Sequence, residues 1–225
     1  SNTLASVAII NAPLFESLSI ELGVSWCRAE AALRGNSHAV NTSISHIIVG
    51  FNSSHGLYPD VVVCDGENWW SNHKNGLSNN LLIIENEENY ARKNSLIPLF
   101  PDSAILKVSD CLFGSGMQVA DKNIKPFVSM YKNVYVMVDY DLGGLRIFKA
   151  LRKKYGSNVH FLTPDNIEQY YDRFKLAPKS TDNWLTSIEM AQEFGLDKLV
   201  KAFVVSEKFM EQEALLTPLG KSNDC

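Results

Sequence analysis

Four short apolar runs between Leu81 and Leu162 constrain the fold more than any other feature of this chain. They are Leu81–Ile84, Ala104–Val108, Val134–Val138 and Val159–Leu162, each four or five residues long. The stretches between them are helix-compatible: Glu87–Asn94, about Val119–Tyr131, and Leu145–Tyr155. Runs this short and this apolar suit strands buried on both faces, the usual condition in a parallel sheet. Alternation of such strands with helices predicts an α/β unit whose mainly parallel sheet is flanked by helices.

The flanking sequence is different in kind. Residues 4–34 mix short apolar runs with helix-compatible stretches, and Trp26–Leu33 reads as a helix stopped by Gly35. Residues 36–46 are polar and turn-rich. His46–Phe51 and Val61–Cys64 read as strands split by a loop at Asn52–Gly56, and the Asn-, Ser- and Gly-rich stretch Trp70–Asn80 reads as a surface loop. Beyond Thr163 three helices are expected, over Asp165–Phe174, Thr181–Phe194 and Leu196 to about Leu216. The expected division is a mixed α/β amino-terminal segment over 1–79 and an α/β domain with a helical carboxyl-terminal extension over 80–225. The chain begins Ser1-Asn2 without methionine, which reads as a tag scar or an excised fragment.

Composition excludes several classes. With 45 % hydrophobic residues a sizeable core is available, and global disorder is not expected. A net charge of −4 argues against a generally basic coat for nucleic acid, though not against a local basic track. Cys27, Cys64, Cys111 and Cys225 are scattered without a C-x-x-C pair, so they read as reduced thiols of a cytoplasmic protein. No apolar run reaches the roughly 18 residues of a spanning helix, so no membrane association is expected. No H-E-x-x-H, G-x-S-x-G or Walker A pattern is present.

Chemistry concentrates where the apolar runs end. Leu81–Ile84 ends at Glu85-Asn86, and Val134–Val138 ends at Asp139-Tyr140-Asp141 followed by Leu142-Gly143-Gly144. Sites of parallel α/β sheets lie at the carboxyl ends of the strands. If the second strand stays extended, Asp139 and Asp141 point to one side, and two carboxylates that close need a cation or a proton between them. With Glu85 from a neighbouring strand they form a hard oxygen site suited to Mg²⁺ or Mn²⁺. The same residues also describe a strand-to-helix turn with an N-cap aspartate, and Glu85 also describes a carboxylate at a helix start.

These residues carry a resemblance. Glutamate at the end of one strand and D-x-D at the end of a later one is the pattern of Toprim domains, which occur in topoisomerases, primases and several nucleases. More narrowly, LIIENEENY, with Glu85, Asn86 and Tyr90, resembles the first motif in the Toprim-like carboxyl-terminal half of JetD, the nuclease subunit of Wadjet plasmid-defence systems. LFGSG at 112–116, VDYDLGGLRIFKALR from Val138, and Glu211-Gln212-Glu213 are similar to later motifs of that family, in the same order over about residues 80–216. Two positions depart from it. Met137 and Val138 stand where the family carries tryptophan and glycine, and the amino-terminal third matches nothing in it.

The resemblance implies a metal-dependent DNA endonuclease acting against foreign or plasmid DNA, in company with an SMC-like condensin complex; a homodimer is compatible with it. Glu85, Asp139 and Asp141 are then the expected catalytic and metal-binding residues. Glu211 and Glu213 lie on a predicted helix two residues apart, a spacing that does not face one way, so at most one joins the metal site, and Glu213 is the choice. Asn86, Ser115, Gly116, Gly143 and Gly144 are candidate phosphate contacts; Asn86 also reads as a local cap, Ser115 and Gly116 as an ordinary turn, and Gly143 and Gly144 as a tight strand-to-helix turn compatible with such a contact. Arg146, Lys149 and Lys153 fall on one helix face that could meet DNA phosphates, or could reflect the ordinary preference of cations for a helix carboxyl end. Two other functions fit less of the pattern. A haloacid-dehalogenase-like phosphatase also opens with D-x-D but needs a later lysine and a further acidic strand end, and leaves Glu85 unexplained. A non-catalytic Toprim-like module would bind DNA or partners without cutting.

Overall fold

A computed structural model describes residues 44–53 and 59–219, all within one compact unit of the chain, Ile44–Cys225. The readings made for residues 4–34, including the helix at Trp26–Leu33, lie outside the described residues.

Seven strands form one sheet: β1 (Ser45–Gly50), β2 (Asp60–Cys64), β3 (Trp69–Trp70), β4 (Asn80–Ile84), β5 (Asp110–Phe113), β6 (Asn133–Met137) and β7 (Val159–Phe161), in the order β3-β2-β1-β5-β4-β6-β7. β5, β4, β6 and β7 are mutually parallel, and β1, β2 and β3 extend the sheet antiparallel beyond β5. The boundary expected at 79/80 therefore falls inside a continuous sheet. The class is α/β, as the alternating pattern predicts.

The β4–β6 register sets up everything that follows. Leu81 pairs with Val134 and Ile84 with Met137. Leu81–Ile84 are no more than 1 % exposed. Side chains alternate across the two faces. Leu82, Ile84, Cys111, Tyr135 and Met137 meet the β4–β5 connection through Leu96, Ile97, Phe100 and Leu106. Leu81, Ile83, Leu112, Val134 and Val136 meet the β5–β6 connection through Val119, Ile124, Phe127 and Val128. Each such aliphatic or aromatic side chain contributes about 1.5–3 kcal/mol by leaving water, so both faces are strongly specified.

The helices are α1 (Glu87–Ala91), α2 (Lys93–Leu96), α3 (Ser103–Leu106), α4 (Lys125–Val128), α5 (Leu142–Tyr155), α6 (Thr181–Glu193) and α7 (Asp197–Ser206). Four sequence expectations change. The helix over 119–131 is two 3₁₀ turns, Gly116–Ala120 and Lys122–Ile124, and then α4; Asp121 re-caps the chain by accepting from the Asn123 N–H, and Pro126 starts α4. The apolar run at 104–108 is the helical turn α3 and its exit, and the strand comes later at Asp110–Phe113. The helix expected over 196–216 ends at Ser206, because Glu207 takes a left-handed conformation at φ 53°. The chain then runs extended, bridging Phe209 to Leu176 and Met210 to Tyr140, before a 3₁₀ turn at Gln212–Leu216. Asp165–Phe174 is likewise 3₁₀, over Ile167–Arg173.

Asp110, fully buried at the start of β5, is satisfied by the Asn52 and Ser78 N–H groups (2.8 and 2.9 Å) and the Tyr131 hydroxyl (3.0 Å). It clamps the sheet at the end away from the acidic strand ends. Cys64 and Cys111 are free and buried. Among the described residues no helix is long and apolar enough to cross a membrane.

Candidate functional site

β4 is the switch point of the parallel half. The chain leaves it to reach β5 on one side, then crosses to β6 on the other. Connections that part in this way open a crevice at the strand carboxyl ends. Glu85 and Asp139 stand at that crevice, just past the last paired residues Ile84 and Met137.

The Glu85 N–H donates to the Met137 carbonyl (3.0 Å), which carries the ladder one residue beyond β4. The Glu85 carboxylate turns toward β6 and accepts from the Asp139 N–H at 3.4 Å. Asp139 Oδ1 accepts from the Gln212 N–H at 2.7 Å. Asp141 Oδ1 accepts from the Gly144 N–H at 2.8 Å and N-caps α5. Glu213 accepts from the Asn86 side-chain amide. All four carboxylates are half-buried, and among the described residues none forms a salt bridge.

Electrostatics follow from that arrangement. Burial pushes Glu85 above the usual carboxylate range, and the charges of Asp141 and Glu213 add to the effect. Burial likewise raises Asp139 to about 7; Glu85, Asp141 and Glu213 push the same way, while the Gln212 N–H opposes them. Acids whose proton affinity is raised by burial and by one another, with no cation paired to them among the described residues, are candidates for a functional site. The donors are hard oxygens, the chemistry that suits Mg²⁺ or Mn²⁺. As the side chains stand, no three His, Cys, Asp or Glu residues are gathered around one cation position among the described residues.

Glycine is required at Gly144, and at Gly114 a side chain would be tight against its neighbours. An added Cβ at Gly144 would lie 2.1 Å from the Asp139 carbonyl oxygen, so only glycine lets α5 start this close to β6. A Cβ at Gly114 would lie 3.2 Å from Glu85 Cα, so the 112–116 loop folds tightly over the end of β4. Ser115 and Gly116 then run left-handed at φ 43° and 65°, and Ser115 is exposed.

The structure thus brings Glu85, Asp139, Asp141 and Glu213 into one neighbourhood. Asn86 is a cap: its Oδ1 accepts from the Asn89 N–H at 3.1 Å while its amide holds Glu213. Gly143 and Gly144 are the strand-to-helix turn. Arg146, Lys149 and Lys153 are exposed along α5, with Lys149 paired to Glu193 at 2.9 Å. Glu211 is exposed and extended, not helical. Sequence reasoning passes over Gln212, which is fully buried; its place inside Glu-Gln-Glu was its only signal.

Fold and site together define an α/β domain whose parallel strands deliver an acidic cluster to a switch-point crevice. The model of the family described as Wadjet protein JetD, C-terminal, matches residues 67–220, and the chain belongs to that family. No curated protein matches it.

Proposed function

We propose that this chain is a metal-dependent DNA endonuclease of Toprim type, serving Wadjet defence against plasmid or other foreign DNA in the cytoplasm, alongside the system's SMC-like subunits. The observation that carries the reading is the set of four half-buried acids without a cationic partner, two of them raised in pKa. Membership of the JetD family supports the biological setting.

Glu85, Asp139, Asp141 and Glu213 would hold Mg²⁺ or Mn²⁺, drawn inward from their present positions by the cation's charge. When bound, the cation supplies Lewis acidity and charge neutralisation toward a phosphodiester. Asp139 is kept in register by the Gln212 N–H, and Asp141 by the start of α5. Glu85, raised by burial, is placed to accept a proton from an attacking water. The tight 112–116 loop limits the space above Glu85, and Arg146 and Lys153 offer charge to flanking phosphates.

The test uses the full chain, supercoiled plasmid and Mn²⁺ or Mg²⁺. Nicking or linearisation is expected with either cation, and its loss with EDTA and in Asp139→Ala. Cleavage that persists in the Glu85→Ala, Asp139→Ala double variant overturns the reading.

A further inference from the structure

Gln212 is fully buried and makes three hydrogen bonds, two to the end of β6 and one to α1. Its backbone N–H donates to Asp139 Oδ1 at 2.7 Å. Its side-chain oxygen accepts from the Asn89 amide at 2.9 Å, and its side-chain nitrogen donates to the Val138 carbonyl at 3.3 Å. Asn89, equally buried, lies on α1, directly after Glu85-Asn86. One residue from the carboxyl-terminal segment therefore joins the end of β4 to the end of β6. The segment reaches this place through the Tyr140–Met210 bridge, with the Tyr140 N–H donating to the Met210 carbonyl at 3.0 Å. Next along the chain, Glu213 is delivered to the Asn86 amide.

A fully buried amide is costly unless its bonds are made, and this one spends them on the backbone and capping groups around the acids. We propose that Gln212 is the positioning residue of the acidic site: it ties the segment that carries Glu213 to the chain ends that carry Glu85 and Asp139, so that these acids can close on a divalent cation. It touches no reacting atom in this assignment. Its backbone N–H acts on Asp139, and its side chain, the part that substitution removes, acts through Asn89 and Val138. The inference rests on the cluster being a metal site.

Gln212→Met conserves volume and removes both side-chain hydrogen bonds. Outer-shell losses of this kind cost roughly 10–100-fold in metal affinity. Mn²⁺ binding to the full-length variant, followed by calorimetry and by the loss of the free-ion paramagnetic signal, is expected to weaken about tenfold or more. Plasmid cleavage should show a matching rise in its Mn²⁺ midpoint, with the maximal rate recovered at high Mn²⁺. Ser187→Ala is the control. Ser187 is a buried polar residue on α6 that bonds only within its helix, so its loss is expected to leave the Mn²⁺ midpoint at the parental value. If Gln212→Met keeps the parental midpoint while Asp139→Asn abolishes binding, the positioning role is overturned and the metal site stands. If Asp139→Asn also binds Mn²⁺ like the parent, the metal site falls. If Gln212→Met lowers only the folded fraction, seen as reduced stoichiometry at an unchanged midpoint, Gln212 is structural and the inference is again overturned.

Discussion

At Asp139, burial and three neighbouring acids hold the carboxyl up to about 7 while the Gln212 N–H pulls it down. The folded protein therefore binds more protons than the unfolded chain between the ordinary aspartate range and neutrality. Under that condition stability falls as pH rises through the window, and the full penalty is present above it. Asp139→Asn removes the charge and keeps an oxygen for the Gln212 N–H. In EDTA at pH 8 the variant should be more stable than the parent by on the order of a few kcal/mol. The gap should close toward pH 4, as urea unfolding across pH would show. A variant no more stable than the parent at pH 8 would mean that burying the Asp139 charge among its acidic neighbours carries no penalty. Glu85 and Asp139 were legible in the sequence because each ends an apolar run that reads as a strand. Gln212 was not. Its partners Asp139, Val138 and Asn89 lie 73, 74 and 123 residues away, and only the fold brings those segments together.

Among the elements, those with strong local signals were legible. α5 runs from its Asp141 cap to Gly156, which takes φ 86°, and α6 starts at the Ser180 cap, whose Oγ accepts from the Asn183 N–H. The segment after α7 was misread as helix because its apolar residues fit a helical period, whereas tertiary bridges at Phe209 and Met210 override that pattern. Beyond the bridges and the Gln212 and Glu213 hydrogen bonds, Arg173 also holds the segment. Its guanidinium donates to the carbonyls of Ala214 (2.6 Å), Thr217 and Pro218 (2.9 Å), closing the end of the 3₁₀ turn that carries Gln212 and Glu213. A hydrogen bond to a charged group contributes about 1.5–3 kcal/mol. Losing even one should raise local opening roughly tenfold or more. Arg173→Ala is therefore expected to speed amide exchange across 212–217 while β4 and β6 keep their protection. Unchanged exchange in that segment would show that the bridges and the Gln212 and Glu213 hydrogen bonds anchor it without Arg173.

At the scale of the whole described unit, the α/β class was legible and the strand order was not. Alternation fixes the class, and β1 and β2 read as two strands split by a loop, but which strand lies beside β4 and where that pair joins the sheet depend on long-range pairing. That order matters because it makes β4 the switch point and sets Glu85 beside Asp139. It also fixes α5, which begins at Asp141, so that its outward cations Arg146 and Lys153 lead away from the acidic crevice. Lys149, between them, is engaged with Glu193, which leaves Arg146 and Lys153 as the exposed charges of that face without a salt bridge among the described residues. In a protein of net charge −4, a duplex must be met by such a local track rather than by the overall field. Each phosphate contact contributes about 0.9 to the slope of log affinity against log salt. Reversing both charges, Arg146→Glu with Lys153→Glu, should flatten that slope by about 2 in magnitude and weaken binding to all sequences alike. Exposed positions of this kind change stability by no more than about 0.5 kcal/mol, so unfolding should be nearly unaffected. Fluorescence anisotropy with duplex DNA at several salt concentrations, in EDTA to suppress cleavage, measures the slope directly. An unchanged slope would remove α5 from the DNA path and leave its cations as ordinary solvent-facing charge.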